Sequence, residues 1–324
     1  MSFEIGIRSD CADRGSPLRS ADASRVGIGH ALVDDCTSEE VCTLLIEYAA
    51  RGGKSAHVIT PNAQHIVLLE KDLHFRQVYR EADLVIADGA SLLLAARLFG
   101  KELRERVAGV DIFRRLSCLA AQNELRVFLL GGRPGSADLA ADALRREFPG
   151  LDCTTFCPPY GFEKSEIELK RVAEEIEKAK PHLLFVGLGA PKQENWIYNH
   201  GLKLSVPVSV GVGGSFEFVG GLVSRAPHWI RNLSLEWFYR LCCEPRRLWR
   251  RYLIGNCQFA FIVLHQRVRR AILNLCIRLV RQGKFAAELD EVMLSRSDDS
   301  DWLDSQLENL RRTRPPEHLS PVAR

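Results

Sequence analysis

Apolar and polar positions alternate along most of the chain with two different periods. From Val26 onward, short runs of Val, Ile, Leu and Ala end at clusters of Gly, Pro, Asn or Asp, and longer stretches of helical spacing separate them. The predicted strands cover residues 57–59, 84–87, 126–130, 182–186 and 206–212. The predicted helices cover residues 38–51, 90–99, 111–123, 136–148 and 163–180. Apolar strands that alternate with helices predict an α/β fold with a Rossmann-like, doubly wound and mainly parallel sheet.

This alternation occupies only the middle of the chain. Residues 1–25 show no apolar period, and we expect them to be a disordered extension. The α/β core is predicted over residues 26–230, and a basic amphipathic helical appendage is predicted over residues 231–285. Residues 286–324 are acidic and then rich in Pro and Arg, a composition that predicts a disordered tail.

Positive charge is concentrated in the appendage. Residues 225–284 hold twelve Arg and one Lys but only two acids, Glu236 and Glu244, although the whole chain has a formal net charge of +3. Aromatic residues lie between these arginines, a combination typical of a helix at an anionic membrane surface. An ordinary amphipathic helix docked on the core is the alternative. The segment matches no recognition motif for nucleic acid, so we expect no nucleic-acid partner.

The targeting and redox signals are those of a reducing compartment. The N-terminal segment lacks the apolar run of a secretory signal, and the ten cysteines have neither CxxC nor zinc-site spacing. The most apolar run, residues 252–264, is shorter than the roughly 20 residues that a membrane-spanning helix needs. We therefore expect a cytoplasmic protein with free thiols that is peripheral to a membrane.

Polar residues follow the predicted strands, at the edge where open parallel sheets bind ligands. Asp88 and Gly89 close the strand at 84–87, and partial desolvation there raises the pKa of a carboxylate toward that of a general base. Asp is also a preferred N-cap, and spacing alone favours Asp88 as the cap of the helix that starts at residue 90. Thr60 and Asn62 follow the strand at 57–59, where they either hold a polar ligand or cap the next helix.

Two glycine-rich loops join strands to helices. The loop at 131–136 contains Gly132 and presents backbone N–H groups at a helix N-terminus, which favours a phosphate. Its spacing departs from the dinucleotide fingerprint, so an NAD-dependent oxidoreductase is the less favoured alternative. In the loop at 187–194, Gln193 and Glu194 are candidates to face the bound ligand, although Glu194 also suits the helix dipole. The D-x-D pair at 299–301 follows no strand, so the sequence predicts neither a metal site nor a cofactor.

Nine short motifs in a fixed order resemble the WecG/TagA/CpsF family, glycosyltransferase family 26. They are TPNAQH at 60–65, ADLVIADG at 82–89, RVAG at 106–109, FLLGG at 128–132, FVGLGAPKQENW at 185–196, GVGGSFEF at 211–218, SRAPHW at 224–229, LEWFYRL at 235–241 and EPRRLWRRYL at 244–253. The resemblance implies a metal-independent, inverting transferase. Such enzymes move a sugar from a UDP donor to a polyprenyl-diphosphate-linked sugar in the assembly of cell-envelope polysaccharide or exopolysaccharide.

The resemblance also implies roles for individual residues. Asp88 is the expected base that deprotonates the acceptor hydroxyl. The other expected substrate-binding residues are Thr60, Asn62, Gly89, Gly132, Gln193, Arg240, Arg247 and Arg250. The three arginines are expected to meet the donor diphosphate when the appendage folds over the site. The chain departs from the family at Glu217, where Asp is common.

The implied setting is the inner face of the bacterial plasma membrane, with a UDP-sugar, a lipid-linked acceptor and an anionic membrane surface as partners. UDP-N-acetylmannosamine is the first expected donor, and its uronic acid and UDP-glucose are the alternatives. A non-catalytic membrane adaptor is an alternative from a different functional class. The sequence leaves open whether the chain forms a homo-oligomer.

Overall fold

A parallel sheet with helices on both faces forms the core in a computed structural model, which describes residues 16–19, 24–232 and 235–281. The strands are β1 (Arg25–Ile28), β2 (Ala31–Asp34), β3 (Ala56–Ile59), β4 (Leu84–Val85), β5 (Val127–Gly131), β6 (Cys153–Phe156), β7 (Leu183–Gly187) and β8 (Val208–Gly211). In the described part of the chain, six of them form one sheet in the order β4-β3-β8-β7-β5-β6, and every pairing is parallel. The predicted Rossmann-like parallel sheet is confirmed.

The helices lie between the strands and after the last one. They are α1 (Ser38–Arg51), α2 (Ala63–Leu69), α3 (Leu73–Arg80), α4 (Ala90–Leu98), α5 (Gly109–Gln122), α6 (Ser136–Glu147), α7 (Glu166–Ala179), α8 (Lys192–Asn199), α9 (Ser215–Val219), α10 (His228–Asn232), α11 (Glu236–Cys243), α12 (Pro245–Trp249) and α13 (Gly255–Arg281). The predicted helices correspond to α1, α4, α5, α6 and α7. The last of these begins later than predicted, because Phe162–Lys164 forms a separate 3-10 turn.

Alternate residues of the central strands enter different cores. In β5, Val127 and Leu129 pack with residues of α1, α5 and α6, whereas Phe128 and Leu130 pack with residues of α7 and α8. A strand that is buried on both faces favours apolar side chains at most of its positions. This double burial explains the unbroken apolar runs in the sequence.

The N-terminal part of the described chain packs against the core. The strands β1 and β2 form an antiparallel pair. Of the extension predicted over residues 1–25, residues 16–19 are held in place: Leu18 is buried and Arg19 Nε lies 3.1 Å from Asp34 Oδ1. This packing differs from the predicted disorder because one apolar side chain and one ion pair anchor the segment. Most of the remaining extension lies outside the described residues.

The chain divides into two compact units, Met1–Val263 and Leu264–Arg324. The first unit contains α10, α11, α12, the π-helical segment Arg250–Ile254 and the start of α13. Residues 231–263 of the predicted appendage therefore belong to the same unit as the α/β core.

The described part of the second unit is the remainder of α13. Its apolar residues Leu264, Val268 and Ile272 are exposed. Within the described ranges, no helix has the length and apolar character needed to cross a membrane. The tail predicted over residues 286–324 lies outside the described residues.

Candidate functional site

The ends of β3, β4 and β8 meet at the carboxyl edge of the sheet. Pro61 O, just after β3, accepts hydrogen bonds from Asp88 N at 3.0 Å and Gly89 N at 3.4 Å. Thr60 Oγ1 donates to Gly211 O at 2.9 Å and so ties the end of β3 to the end of β8. These bonds bring together residues that follow three different strands. We call this region the strand-end site.

Asp88 is the carboxylate of the strand-end site. It is partly buried, and its Oδ1 accepts a hydrogen bond from Gly109 N at 3.3 Å. Burial raises the pKa of Asp88 to about 6, because weakly polar surroundings disfavour the charged form; Arg106 opposes this shift and Glu236 adds to it. A carboxylate with this pKa is ionised at neutral pH and is still basic enough to accept a proton.

The alternative prediction that Asp88 caps α4 is wrong. Gly89, not Asp88, is the N-cap of α4, and this cap makes no side-chain hydrogen bond. Asp88 instead bonds to the N–H of Gly109, the first residue of α5. A helix N-terminus carries unpaired N–H groups and a partial positive charge, which suits a carboxylate. Asp88 therefore bonds to the N-terminus of α5 rather than that of α4, and its carboxylate still has a raised pKa.

Four charged side chains beside Asp88 form a network of ion pairs. Arg106 Nη2 lies 2.8 Å from Glu236 Oε2, and Arg225 Nε lies 3.6 Å from Glu236 Oε1. Arg225 also pairs with Asp111, with Nη2 at 2.7 Å from Oδ2. This charge network joins the loop before α5, the first turn of α5, the segment between α9 and α10, and the first turn of α11. It holds the start of α11 beside the strand-end site.

Thr60 and Asn62 make bonds within the fold. Thr60 is buried, and its hydroxyl proton is used by Gly211 O. Asn62 is the N-cap of α2, where its Oδ1 accepts from Gln64 N at 3.0 Å, so the capping alternative is confirmed for this residue. Gly89 packs so closely that a Cβ there would lie 3.3 Å from Asn62 Cα. The substrate-binding roles of these three residues stay predictions.

Gly132 is required by the turn and by packing. Gly131 and Gly132 both have a φ of 85°, in the left-handed region that favours glycine. A Cβ on Gly132 would lie 2.4 Å from Ser136 Oγ and 3.0 Å from the Phe216 ring. Its N–H donates to Gly187 O at 3.1 Å, so this N–H is used within the fold. A substrate contact at Gly132 stays a prediction.

Gln193 is buried and joins the loops after β7 and β8. Its Oε1 accepts from Gly189 N at 3.1 Å and from Gly213 N at 2.9 Å. Its Nε2 donates to Glu194 Oε1 at 2.7 Å. The amide is thus engaged at both ends, and the side chain positions the two loops. Direct contact between Gln193 and a substrate stays a prediction.

Glu194 lies in a buried polar cluster with His65 and Tyr79. Its Oε1 is 3.8 Å from His65 Nε2. Burial raises the pKa of Glu194 to about 7 and lowers the pKa of His65 to about 3, because neither charged form is solvated. Three atoms of the cluster have no hydrogen-bond partner within the described residues, namely Glu194 Oε2, His65 Nδ1 and Tyr79 Oη. The histidine is therefore neutral, and the pair is not an ordinary salt bridge.

The three arginines predicted to meet a diphosphate occupy different surroundings. The Arg240 guanidinium lies 5.0 Å from the centre of the Phe218 ring. Arg247 is exposed and pairs with Glu244. Arg250 is exposed and stacks on the tryptophan before it. The diphosphate roles of all three stay predictions.

Arg251 has a closer electrostatic relation to the strand-end site. Burial lowers the pKa of Arg251, the charge of Arg240 lowers it further, and the charge of Asp88 opposes both. The charge of Arg251 also acts on His65. A partly buried cation near the candidate base is well placed to stabilise negative charge.

The sequence analysis assigned no site role to Arg106, Glu236 or Arg251. Arg106 stands in the RVAG motif, three residues before Gly109, and this position was the available signal. Glu236 is one of only two acids among residues 225–284, which also set it apart. Arg251 is one of twelve arginines in that segment, and nothing in the sequence distinguishes it from the others.

A cavity lies elsewhere in the fold, beside the N-terminal part of the described chain. This cavity of about 510 Å³ is lined in part by Arg19, Asp34, Glu40 and Arg104. Its charged groups already pair with one another: Arg19 with Asp34, and Arg104 with Glu40. Within the described ranges, no group of three or more His, Cys, Asp or Glu side chains is arranged to hold a metal ion. The prediction of a metal-independent reaction stays a prediction.

The sequence of this chain is similar to those of known proteins over most of its described length. The Glycosyl transferase WecG/TagA/CpsF family matches residues 26–272. A protein of Bacillus subtilis (strain 168) is 33% identical over 211 residues, which cover 65% of this chain and 80% of the relative. A protein of Staphylococcus aureus (strain MRSA252) is 28% identical over 224 residues, which cover 69% of this chain and 86% of the relative. Both are named N-acetylglucosaminyldiphosphoundecaprenol N-acetyl-beta-D-mannosaminyltransferase.

The family match covers every strand of the parallel sheet, Asp88 and the charge network. It confirms the resemblance drawn from the nine motifs. It also favours an enzyme over a non-catalytic adaptor, and sugar transfer over NAD-dependent oxidation. The chain belongs to the WecG/TagA/CpsF family of glycosyl transferases and is a hexosyltransferase.

Proposed function

We propose that the protein moves a sugar from a UDP donor to a polyprenyl-diphosphate-linked sugar, with inversion at the anomeric carbon and without a metal. The names of the two relatives support the lipid-linked acceptor and support N-acetylmannosamine as the sugar. UDP-N-acetylmannosamine is therefore the first donor to test. UDP-N-acetylmannosaminuronate and UDP-glucose are the alternatives.

The state of Asp88 is the observation that carries this proposal. A partly buried carboxylate with a pKa of about 6 stands at the edge where strands end. In the proposed step, Asp88 takes the proton of an acceptor hydroxyl while that oxygen bonds to the anomeric carbon of the donor. The bond from the anomeric carbon to the diphosphate oxygen breaks, and its electron pair leaves with UDP. A single displacement of this kind inverts the anomeric centre.

The leaving diphosphate needs positive charge. Arg106 and Arg251 act electrostatically on Asp88, and Arg240 acts on Arg251, so three arginines lie around the strand-end site. Arginine binds phosphate oxygens through two parallel N–H bonds. In a site closed to water, such donors stabilise developing charge by several kcal/mol, on the order of 3 kcal/mol for one donor.

The exposed surface of α11 and α12 supports attachment to a membrane. Trp237, Phe238 and Trp249 are exposed although they are large and apolar or aromatic. Arg246 and Arg247 are exposed in the same segment. Exposed aromatics beside arginines fit an anionic membrane surface, where each basic residue contributes about 1 kcal/mol. We place the protein at the inner face of the plasma membrane, where a lipid-linked acceptor is within its reach.

A UDP-release assay tests this function. The full chain is incubated with each UDP-sugar and a short-chain prenyl-diphosphate-linked N-acetylglucosamine, with and without EDTA. We expect release that requires the acceptor, is fastest with UDP-N-acetylmannosamine and is unchanged by EDTA. Absence of acceptor-dependent release with every donor would refute the function, and loss of activity in EDTA would refute the metal-free reaction.

A further inference from the structure

Glu236 has an unusual position for an acid in a basic segment. It is one of two acids among residues 225–284, and its side chain is only 18% exposed. One carboxylate oxygen lies 2.8 Å from Arg106 Nη2, and the other lies 3.6 Å from Arg225 Nε. The other acid, Glu244, is held differently, at 3.7 Å from Arg133 Nη2. Of these two acids, Glu236 is the one that pairs with an arginine acting on Asp88.

Arg106 has three carboxylates within electrostatic range, those of Asp88, Asp111 and Glu236. The charge of Arg106 acts on Asp88, yet the ion pair that Arg106 makes within the described residues is with Glu236. An arginine that paired with Asp88 would stabilise the ionised carboxylate and weaken it as a base. Because Arg106 is only 22% exposed, water would not readily replace Glu236 as its partner.

We propose that Glu236 is a positioning residue for the transfer step. By binding Arg106 and Arg225, it keeps the Arg106 guanidinium from pairing with the Asp88 carboxylate and fixes the first turn of α11 beside it. This inference rests on the proposed function, in which Asp88 is the base. Because Glu236 is part of the appendage, it links docking of the appendage to the basicity of Asp88.

Charged groups face Asp88 from several elements of the fold. They are Arg106 in the loop before α5, Asp111 in α5, Glu236 in α11 and Arg251 in the π-helical segment, together with the N–H of Gly109. Replacing Glu236 with Gln removes one negative charge and leaves Arg106 without its carboxylate. Both changes favour the ionised form of Asp88, so its pKa is expected to fall.

A direct titration of Asp88 tests this inference. The full chain is labelled with ¹³C at aspartate side-chain carboxyls, and the Asp88 signal is assigned by its loss in Asp88→Asn. We expect Glu236→Gln to lower the pKa of Asp88 by about one unit or more, and Glu236→Asp to lower it less. Glu244→Gln is the matched control from the same segment and is expected to leave the pKa unchanged. An unchanged Asp88 pKa in Glu236→Gln, or an equal shift in Glu244→Gln, would overturn the proposal.

Kinetics supply a second readout. In Glu236→Gln we expect kcat to fall on the order of tenfold, its acidic limb to move to lower pH, and the donor KM to change much less. A merely structural role would instead lower kcat without moving the limb. Glu236→Asp gives the same test if the Gln variant does not fold. The titration needs no turnover, so failure of the UDP-release assay would refute the proposed function and leave this result separate.

Discussion

The strand-end site and the appendage differ in the burial and hydrogen bonding of their predicted substrate-binding residues. In the strand-end region, Thr60 and Gln193 are buried and hydrogen-bonded to loops of the fold. In the appendage, Arg247, Arg250 and Trp249 are exposed. The core thus holds Asp88, the proposed base, among hydrogen-bonded loops, whereas these appendage residues present charge and aromatic surface to the outside. The family motifs therefore contain two kinds of residue, those that are buried and bonded within the fold and those that are exposed.

Replacing Asp88, the proposed base, should produce the largest effect. Asp88→Asn keeps an acceptor for the N–H of Gly109 but cannot take a proton, so kcat is expected to fall by about 10²- to 10⁴-fold. Donor KM and the unfolding midpoint are expected to change little. Asp142→Asn, at an exposed carboxylate on α6, is the control and should transfer sugar normally. A near-normal rate in Asp88→Asn, measured by UDP release, would remove Asp88 from the mechanism.

Two glycines test whether the loop after β5 is shaped by packing. Gly132 and Gly135 both have positive φ, but only a Cβ on Gly132 meets neighbours within 4 Å. Gly135→Ala is expected to lower the free energy of unfolding by about 1–2 kcal/mol, the cost of a left-handed residue. Gly132→Ala should lose roughly 1–3 kcal/mol more, because the core must make room for the methyl group. Equal losses in urea denaturation would show that packing does not explain Gly132.

The buried cluster of Glu194, His65 and Tyr79 should make the stability of the fold depend on pH. The pKa of Glu194 is raised to about 7 in the folded chain, so the folded state binds this proton more tightly than the unfolded state does. The resulting stability is present at low pH and is lost as pH rises through about 7. Glu194→Gln is therefore expected to raise the free energy of unfolding by about 1–3 kcal/mol at pH 8 and much less at pH 5.

Urea denaturation of the Glu194→Gln variant at the two pH values measures this gain. Glu177→Gln, at an exposed position of α7, is the matched control and should show no such pH dependence. A gain of the same size at both pH values would indicate that burial does not raise the pKa of Glu194.

The smallest expected effect concerns the appendage surface. Trp249 is 43% exposed, and Trp249→Ala should weaken binding to anionic liposomes by roughly 1 kcal/mol, or about fivefold. Ile167→Ala, at an 80% exposed residue of α7 in the core, is the control and should bind as the unchanged chain does. If the two variants bind liposomes equally in a sedimentation assay, Trp249 does not contribute to membrane binding.

The sequence predicted the sheet well because burial on both faces requires continuous apolar runs, as in β5 and β7. The same reasoning placed Asp88, since a polar residue that ends such a run must lie at the edge of the sheet. The pairing of Arg106 with Glu236 could not be predicted, because 130 residues separate them and only the tertiary path brings them together. Gln193 follows a glycine loop like an exposed ligand-binding residue, and only the structure shows that two loop N–H groups converge on it.

The pH dependence of kcat tests the central claim about Asp88 most directly. A base with a pKa of about 6 must lose its proton before it can act, so kcat should rise with pH through about 6 and then level off. The residual activity of Asp88→Asn should not show this rise in kcat with pH. If kcat of Asp88→Asn still rises through about pH 6, another group is responsible for the rise, and the account is contradicted.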